Sequence, residues 1–181
     1  AVYAHVRRGE RVVAVVSAFA GVTDRLYALA REQGAEPRAT AALVATGEHE
    51  SAALLALALD RCGVPATLLA PHAVDFRTRG TPLDSEPASV AARAFERALH
   101  AAPVVVFPGF CGVDDAGHVA LLGRGGSDLT ALFLAEQLQA RCVLVKDVDG
   151  LYERDPARPG PLARRFAAVR YDDALRLDGR I

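Results

Sequence analysis

Three short apolar runs, each followed by glycine-rich or acidic residues and separated by stretches of helical period, constrain the fold more than any other feature. Arg11 to Ser17 (RVVAVVS) is an unbroken β-branched run, the pattern of a strand buried on both faces. Pro103 to Phe107 and Cys142 to Lys146 repeat it. Thr23 to Gln33 places Leu26, Leu29 and Ala30 at helical spacing. Ala41 to Arg61 reads as a long, well-buried helix that Gly63-Val64-Pro65 stops. Ala88 to His100 and Leu129 to Gln139 read as further helices, with Asp128 as N-cap of the latter. Strands separated by helices pair in parallel and carry helices on both faces. The expected fold is therefore α/β, a three-layer αβα sandwich with a mostly parallel central sheet, in one domain spanning 1–181.

The remaining segments fill in around this frame. Val2 to Arg8 reads as the end of a helix, Gly34 to Thr40 as a polar break, and Ala66 to Ala70 as a short strand. Pro71 to Pro87, rich in Pro, Gly, Thr and Asp, reads as irregular. Asp114-Asp115-Ala116-Gly117 between Gly112-Val113 and His118 to Leu122 predicts a hairpin. Asp147 to Pro161 reads as a long loop, and Tyr171 to Leu177 as the start of a last helix.

Composition narrows the functional classes. The 181 residues are 51% hydrophobic and 24% charged, which excludes a disordered chain, and the net charge of -1 offers no basic footprint for nucleic acid or an anionic membrane. No apolar run reads as a membrane span of roughly 18 residues. The three cysteines, Cys62, Cys111 and Cys142, have neither zinc nor redox-motif spacing and read as buried or half-buried free thiols of a cytoplasmic protein. The histidines show no ligand spacing, so no protein metal site is assigned.

In α/β sheets ligands gather at the carboxyl ends of strands. Three strand-end segments carry suitable residues: Ser17 through Thr23, Gly123-Arg124-Gly125-Gly126-Ser127-Asp128, and Asp147-Val148-Asp149-Gly150-Leu151-Tyr152. Gly125 and Gly126 permit close backbone approach at a helix N-terminus, where an anion is favoured. Arg124 can clamp a carboxylate with two hydrogen bonds, and Asp128 offers a negative group to an amine. Together they can hold a zwitterion. A glycine turn with a capping Asp and a solvated Arg accounts for the same residues equally well. Glu48, in Thr46-Gly47-Glu48, is placed near the start of the long helix, where the helix dipole favours it.

Taken in order, these segments resemble the kinase domain of aspartokinases, within the amino-acid kinase family. Ser17-Ala18 through Gly21-Val22-Thr23-Asp24 is similar to that family's S-A-x-x-G-x-T segment. Thr46-Gly47-Glu48 with Ser51-Ala52 is similar to T-G-E-x-x-S-A. Gly109-Phe110, Gly112 and Leu122 through Asp128 are similar to G-F-x-G…L-G-R-G-G-S-D. Lys146 through Tyr152 with Asp155-Pro156 is similar to T-D-V-D-G-V-Y-x-x-D-P, and Tyr171 through Ala174 to S-Y-D-E-A.

The resemblance implies a reaction and a set of roles. ATP would phosphorylate the β-carboxylate of L-aspartate to an acyl phosphate, with Mg²⁺ carried on the nucleotide. Arg124 would bind the α-carboxylate, Glu48 and Asp128 would sit near the α-amino group, and Ser127 would join them. Ser17 and Thr23 would line the reacting end, and Asp128 would complete the catalytic set. Gly125, Gly126, Lys146, Asp147, Tyr152 and Arg180 would serve the nucleotide. The family's first strand with K-F-G-G-T-S has no counterpart, so the domain is expected to be incomplete at its N-terminus, in agreement with the absence of Met and a start at Ala1. No regulatory domain follows Ile181 in this sequence, and a homo-oligomer or a longer multidomain chain is expected. Lys146, the only lysine, stands where the family has Thr, and Arg180 where it has Lys. Two alternatives stay open: a weak or inactive kinase-like regulatory domain, and a sibling kinase for another small acid such as glutamate.

Overall fold

Strand β5 (Val104–Pro108) is buried along its whole length and organises the molecule in the computed structural model. The structure describes residues 1–123, 125–146, 150, 152–153 and 160–168. These divide into two units, 1–142 and 143–181, each considered by itself. β5 pairs in parallel with β1 (Val12–Val16) on one side and β2 (Ala66–Leu68) on the other. Its side chains alternate between two cores, as a period of two demands. Val105 and Phe107 join Val74, Phe76, Phe95, Leu122 and Leu134 on one face. Val104 and Val106 join Ala14, Ala52, Leu59 and Val64 on the other. Phe107 meets Phe76 and Phe95 at ring-centroid distances of 5.6 and 5.3 Å, within the range where tilted and edge contacts are favourable.

Helices cover both faces, so the expected three-layer α/β arrangement is present. α1 (Val2–Val6) and α3 (Pro37–Arg61) lie on the Ala14–Val104 side. α4 (Ala92–Ala101) and α5 (Gly126–Gln137) lie on the Phe107 side. α2 (Val22–Glu32) packs on α3 through Leu26, which shares a third core with Val44, Cys111 and Leu121.

A second sheet has the order β4 (Asp84–Ser89), β3 (Arg77–Thr81), β6 (Cys111–Val113), β7 (Val119–Leu121). β6 (Cys111–Val113) and β7 (Val119–Leu121) form the hairpin read from the sequence. Its turn is held by Asp114, whose Oδ1 accepts from the N–H groups of Ala116 and His118, and by Gly117 at φ 83°.

Several expectations are corrected. Pro71 to Pro87 is not irregular: a 3₁₀ turn (Pro71–Val74) leads into an antiparallel pair, β3 (Arg77–Thr81) and β4 (Asp84–Ser89). These strands are polar because much of them faces solvent, and Pro87 is tolerated because β4 is an edge strand. α3 starts at Pro37, not at Ala41. The Glu36 carboxylate accepts from the N–H groups of Arg38 (3.1 Å) and Ala39 (2.7 Å), and Pro37 occupies the first turn, where its missing N–H costs nothing. The stop is as read, with Gly63 at φ 68°.

With 25 residues α3 is long and apolar enough to cross a membrane, contrary to the sequence expectation, yet it buries nine residues against protein, Glu48 among them. Cys62 is exposed rather than buried. Residues 142–146 form no strand, and Val145 is 73% exposed. No neighbour among the described residues offers that run a ladder, and β-propensity without a partner does not make a strand. In the second unit, Tyr152 and Arg165 form an antiparallel bridge beside a Glu153–Arg164 ion pair of 3.3 Å. The expected helix from Tyr171 lies outside the described residues.

Candidate active site at the carboxyl ends of β1 and β5

Because β1 and β5 are parallel neighbours, with Val16 opposite Pro108, their carboxyl ends deliver two loops to the same place. The N–H of Gly109 donates to the carbonyl of Val16 at 2.8 Å, which ties the two exits together. Ser17 is the first residue after β1 and is exposed; Ala18 follows, half-buried.

Glu48 comes to this point from the middle of α3, not from its start, so the helix dipole is not what accommodates it. Its Oε1 accepts from the N–H of Ala18 at 3.3 Å. Its Oε2 finds no hydrogen-bond partner among the described residues, although the residue is only 2% exposed. Burial pushes the carboxyl above its ordinary value, opposed in part by the Ala18 N–H. Glu48 in turn raises two neighbours that burial has already raised, Tyr27 on α2 and the Cys111 thiol, the latter to about 12. Gly47 lets this approach happen. A Cβ there would stand 3.0 Å from the Cβ of Ala18 and 3.1 Å from Cγ1 of Val22.

The other side is built on β5 and α5. A Cβ on Gly109 would lie 2.8 Å from the Cβ of Ser127, so only glycine lets the β5 exit touch the first turn of α5. Phe110, at φ 61°, donates its N–H to the Thr130 hydroxyl at 3.3 Å, and that hydroxyl donates to the Gly126 carbonyl at 2.8 Å. Thr130 is fully buried and pins this turn. Gly125 is the N-cap of α5 at φ 76°, Gly126 its first residue, and Asp128 a first-turn residue rather than the cap. Asp128 and Ser127 are half-buried, and the Asp128 charge adds to burial in raising the nearby Cys142 thiol. α2 begins in the same manner, with Gly21 as N-cap at φ 78° and Thr23 half-buried in the first turn. Neither helix start is capped by a side chain, so both present backbone N–H groups and positive dipole ends toward negative charge.

Ser17 and Thr23 thus follow the β1 exit, Glu48 reaches that exit from mid-α3, and Gly125, Gly126, Ser127 and Asp128 form the start of α5, which the β5 exit touches at Ser127. Lys146 and Tyr152 belong to the second unit. Arg124, Asp147 and Arg180 lie outside the described residues. Sequence reading missed the packing parts of Gly47, Gly109 and Thr130. The glycines were visible in their motifs, and a threonine four residues after Gly126 is the spacing for a back-bond to a helix carbonyl. A shallow cavity of about 240 Å³ lies at the opposite, amino-terminal end of β1, beside Glu10, Arg11 and Pro103, and no expected site residue lines it.

Comparison with known proteins fits this architecture. The aspartate kinase of Stutzerimonas stutzeri is 38% identical over 172 residues, covering 93% of this chain and 42% of that protein. The aspartokinase of Thermus thermophilus is 37% identical over 178 residues, covering 96% and 44%. The chain therefore spans under half the length of these curated relatives. The E. coli aspartokinase III structure in complex with aspartate and ADP superposes with a TM-score of 0.76 at 27% identity, covering 91% of this chain and 49% of that one. An isopentenyl phosphate kinase shares the fold, with a TM-score of 0.73 at 18% identity over 96% of this chain and 71% of that one. The model of the amino acid kinase family matches residues 1–180, and the chain belongs to that family.

Proposed function

We propose that the full-length protein transfers the γ-phosphoryl group of ATP to the β-carboxylate of L-aspartate, giving ADP and an acyl phosphate. Glu48 carries this reading. A buried carboxylate with one oxygen on the Ala18 N–H and acceptor capacity left on both oxygens suits a cation of substrate size. The α-ammonium group of an amino acid supplies that charge. The aspartokinase relatives and the solved complex with aspartate and ADP support aspartate as that amino acid.

In this reading Arg124 takes the α-carboxylate, Glu48 and Asp128 take the ammonium group, and Ser127 orients it. Ser17 and Thr23 border the β-carboxylate. The uncapped N–H groups at the starts of α2 and α5 offset charge on the group in flight. Gly125, Gly126, Lys146, Asp147, Tyr152 and Arg180 serve the nucleotide, with Mg²⁺ arriving on ATP. Such transfer needs alignment and charge neutralisation rather than a covalent catalyst. The reaction opens a cytoplasmic route to lysine, threonine and methionine, and the working protein is an oligomer or a longer multidomain chain.

The test is hydroxylamine trapping of the acyl phosphate with full-length protein, ATP and aspartate. Aspartate-dependent hydroxamate is expected, and Arg124→Ala abolishes aspartate binding while sparing ATP. A protein that binds both ligands and forms no hydroxamate overturns the reading.

A further inference from the structure

One turn beyond Glu48 on α3 lies a second buried polar atom without a partner. Ser51 is 5% exposed, and its Oγ meets no hydrogen-bond partner among the described residues. Residues three apart on a helix are surface neighbours, and a helical side chain leans back over the preceding turn. Ser51 therefore shares a face of α3 with Glu48, one turn on. A helical serine ordinarily returns its hydroxyl to the carbonyl four residues back. Here no such bond forms with Gly47, and no direct bond joins Ser51 to Glu48.

The surroundings leave few other ways to satisfy Oε2 of Glu48. Among the described residues, Glu48 has beside it the N–H of Ala18, already donated to Oε1, the phenol of Tyr27 on α2 and the thiol of Cys111 on β6. The thiol stays protonated, and its S–H is a weak donor. Leaving two buried polar oxygens unserved costs about 1–3 kcal/mol each, and more for a charged one. A water needs two or more polar partners to settle in a protein interior, and a carboxylate oxygen with a hydroxyl provides them.

We propose that Ser51 is a positioning residue: a buried water shared by its hydroxyl and Oε2 of Glu48 holds the carboxylate in the orientation that receives the substrate's ammonium group. The proposal rests on the amino-acid-kinase reading of Glu48. It goes further in naming a residue that touches neither substrate nor nucleotide. The hydroxyl accepts from or donates to the water according to the charge on Glu48, so the bridge serves the ionised carboxylate as well as the neutral one.

The experiment uses the full-length protein with Ser51→Ala and Ser51→Thr. Ser51→Ala is expected to raise KM for L-aspartate about tenfold, the loss of one hydrogen bond to a charged group. KM for ATP stays unchanged, and the penalty falls on aspartate KM more than on kcat. Ser51→Thr keeps the hydroxyl and restores most of the aspartate affinity. Equal losses for ATP and aspartate, or a Thr variant as impaired as the Ala variant, overturn the proposal in favour of a purely structural serine. A second measurement needs no substrate. The carboxyl carbon of Glu48 is followed by NMR against pH in glutamate-labelled protein and assigned by its disappearance in Glu48→Gln. Ser51→Ala is expected to move its titration midpoint upward, because the ionised carboxylate loses a stronger hydrogen bond than the neutral acid does. An unmoved midpoint overturns the proposal even where the hydroxamate assay fails. A moved midpoint with no hydroxamate supports the bridge and sinks only the aspartate assignment.

Discussion

The backbone N–H of Ala18 donates to Oε1 of Glu48 at 3.3 Å, joining the loop after β1 to the middle of α3. Thirty residues of sequence separate the two, and the bond exists because Gly47 lets helix and loop approach to within contact distance. The site is therefore held by a carboxylate whose burial works against its own ionisation.

That conflict sets a pH signature. The ordinary value of 4.5 is raised in the folded protein by burial. The neutral form is favoured by folding, so stability is greatest below the ordinary value and falls as pH rises through the raised one. Glu48→Gln removes the titration. Its melting temperature is expected to exceed that of the parent by about 2 °C or more at pH 8, with the gain shrinking toward pH 5. Aspartate KM rises at least about 100-fold, as expected when one partner of a buried charge pair is removed. Thermal melts across that range check the sign, and a shift of equal size at both ends counts against it.

Gly109→Ala tests the contact between β5 and α5. The new methyl would lie 2.8 Å from Cβ and 2.9 Å from Oγ of Ser127, so the first turn of α5 must move. Overpacking of this kind costs about 1–3 kcal/mol. Aspartate kcat/KM is expected to fall about tenfold or more through displacement of Ser127 and Asp128. Gly47→Ala meets only side chains, at 3.0 Å and beyond, and is expected to be milder. Parallel kinetics and melts on the two variants decide this, and equal severity would be the wrong result.

The thiols should separate by reactivity. Cys62 is exposed, whereas Cys111 is buried in the third core and its thiol is pushed up to about 12. The thiolate is the reactive species, so native protein at pH 8 is expected to label at Cys62 within minutes and at Cys111 only as fast as the core opens. Peptide mass spectrometry after timed alkylation gives the order. Comparable rates at the two cysteines would contradict the packing of β6 under α3.

How far the sequence could be read depended on where each segment's partner lay. β1, β5 and the β6–β7 hairpin were legible because their patterns are local: a β-branched run, a buried run and a turn. The start of α3 was missed because Pro37 was read as part of a break, when with Glu36 behind it proline begins a helix. The β3–β4 pair was missed because strands that face water lose the apolar alternation that marks a strand. The run 142–146 has the composition of a strand without a ladder to join. For the site, the motifs pointed to loops that follow β1 and β5 and to the start of α5. They did not show that Glu48 sits in mid-helix, or that Gly47 and Gly109 are close-approach points. Those facts depend on which surfaces meet across the fold, and spacing along the chain does not encode them.

α3 also has a mechanical consequence. It is a single rod of about 37 Å that packs against β1, β2 and β5 of one sheet and β7 of the other. Glu48 rides on that rod near its midpoint, so the two sheets cannot slide past each other while both keep their grip on α3 without dragging the carboxylate with them. The Arg61 end lies about 20 Å along the helix from Glu48, so rigid displacement of that end carries to the Ala18–Glu48 hydrogen bond. The helix acts as a stiff lever arm whose midpoint carries the carboxylate that meets the loop after β1.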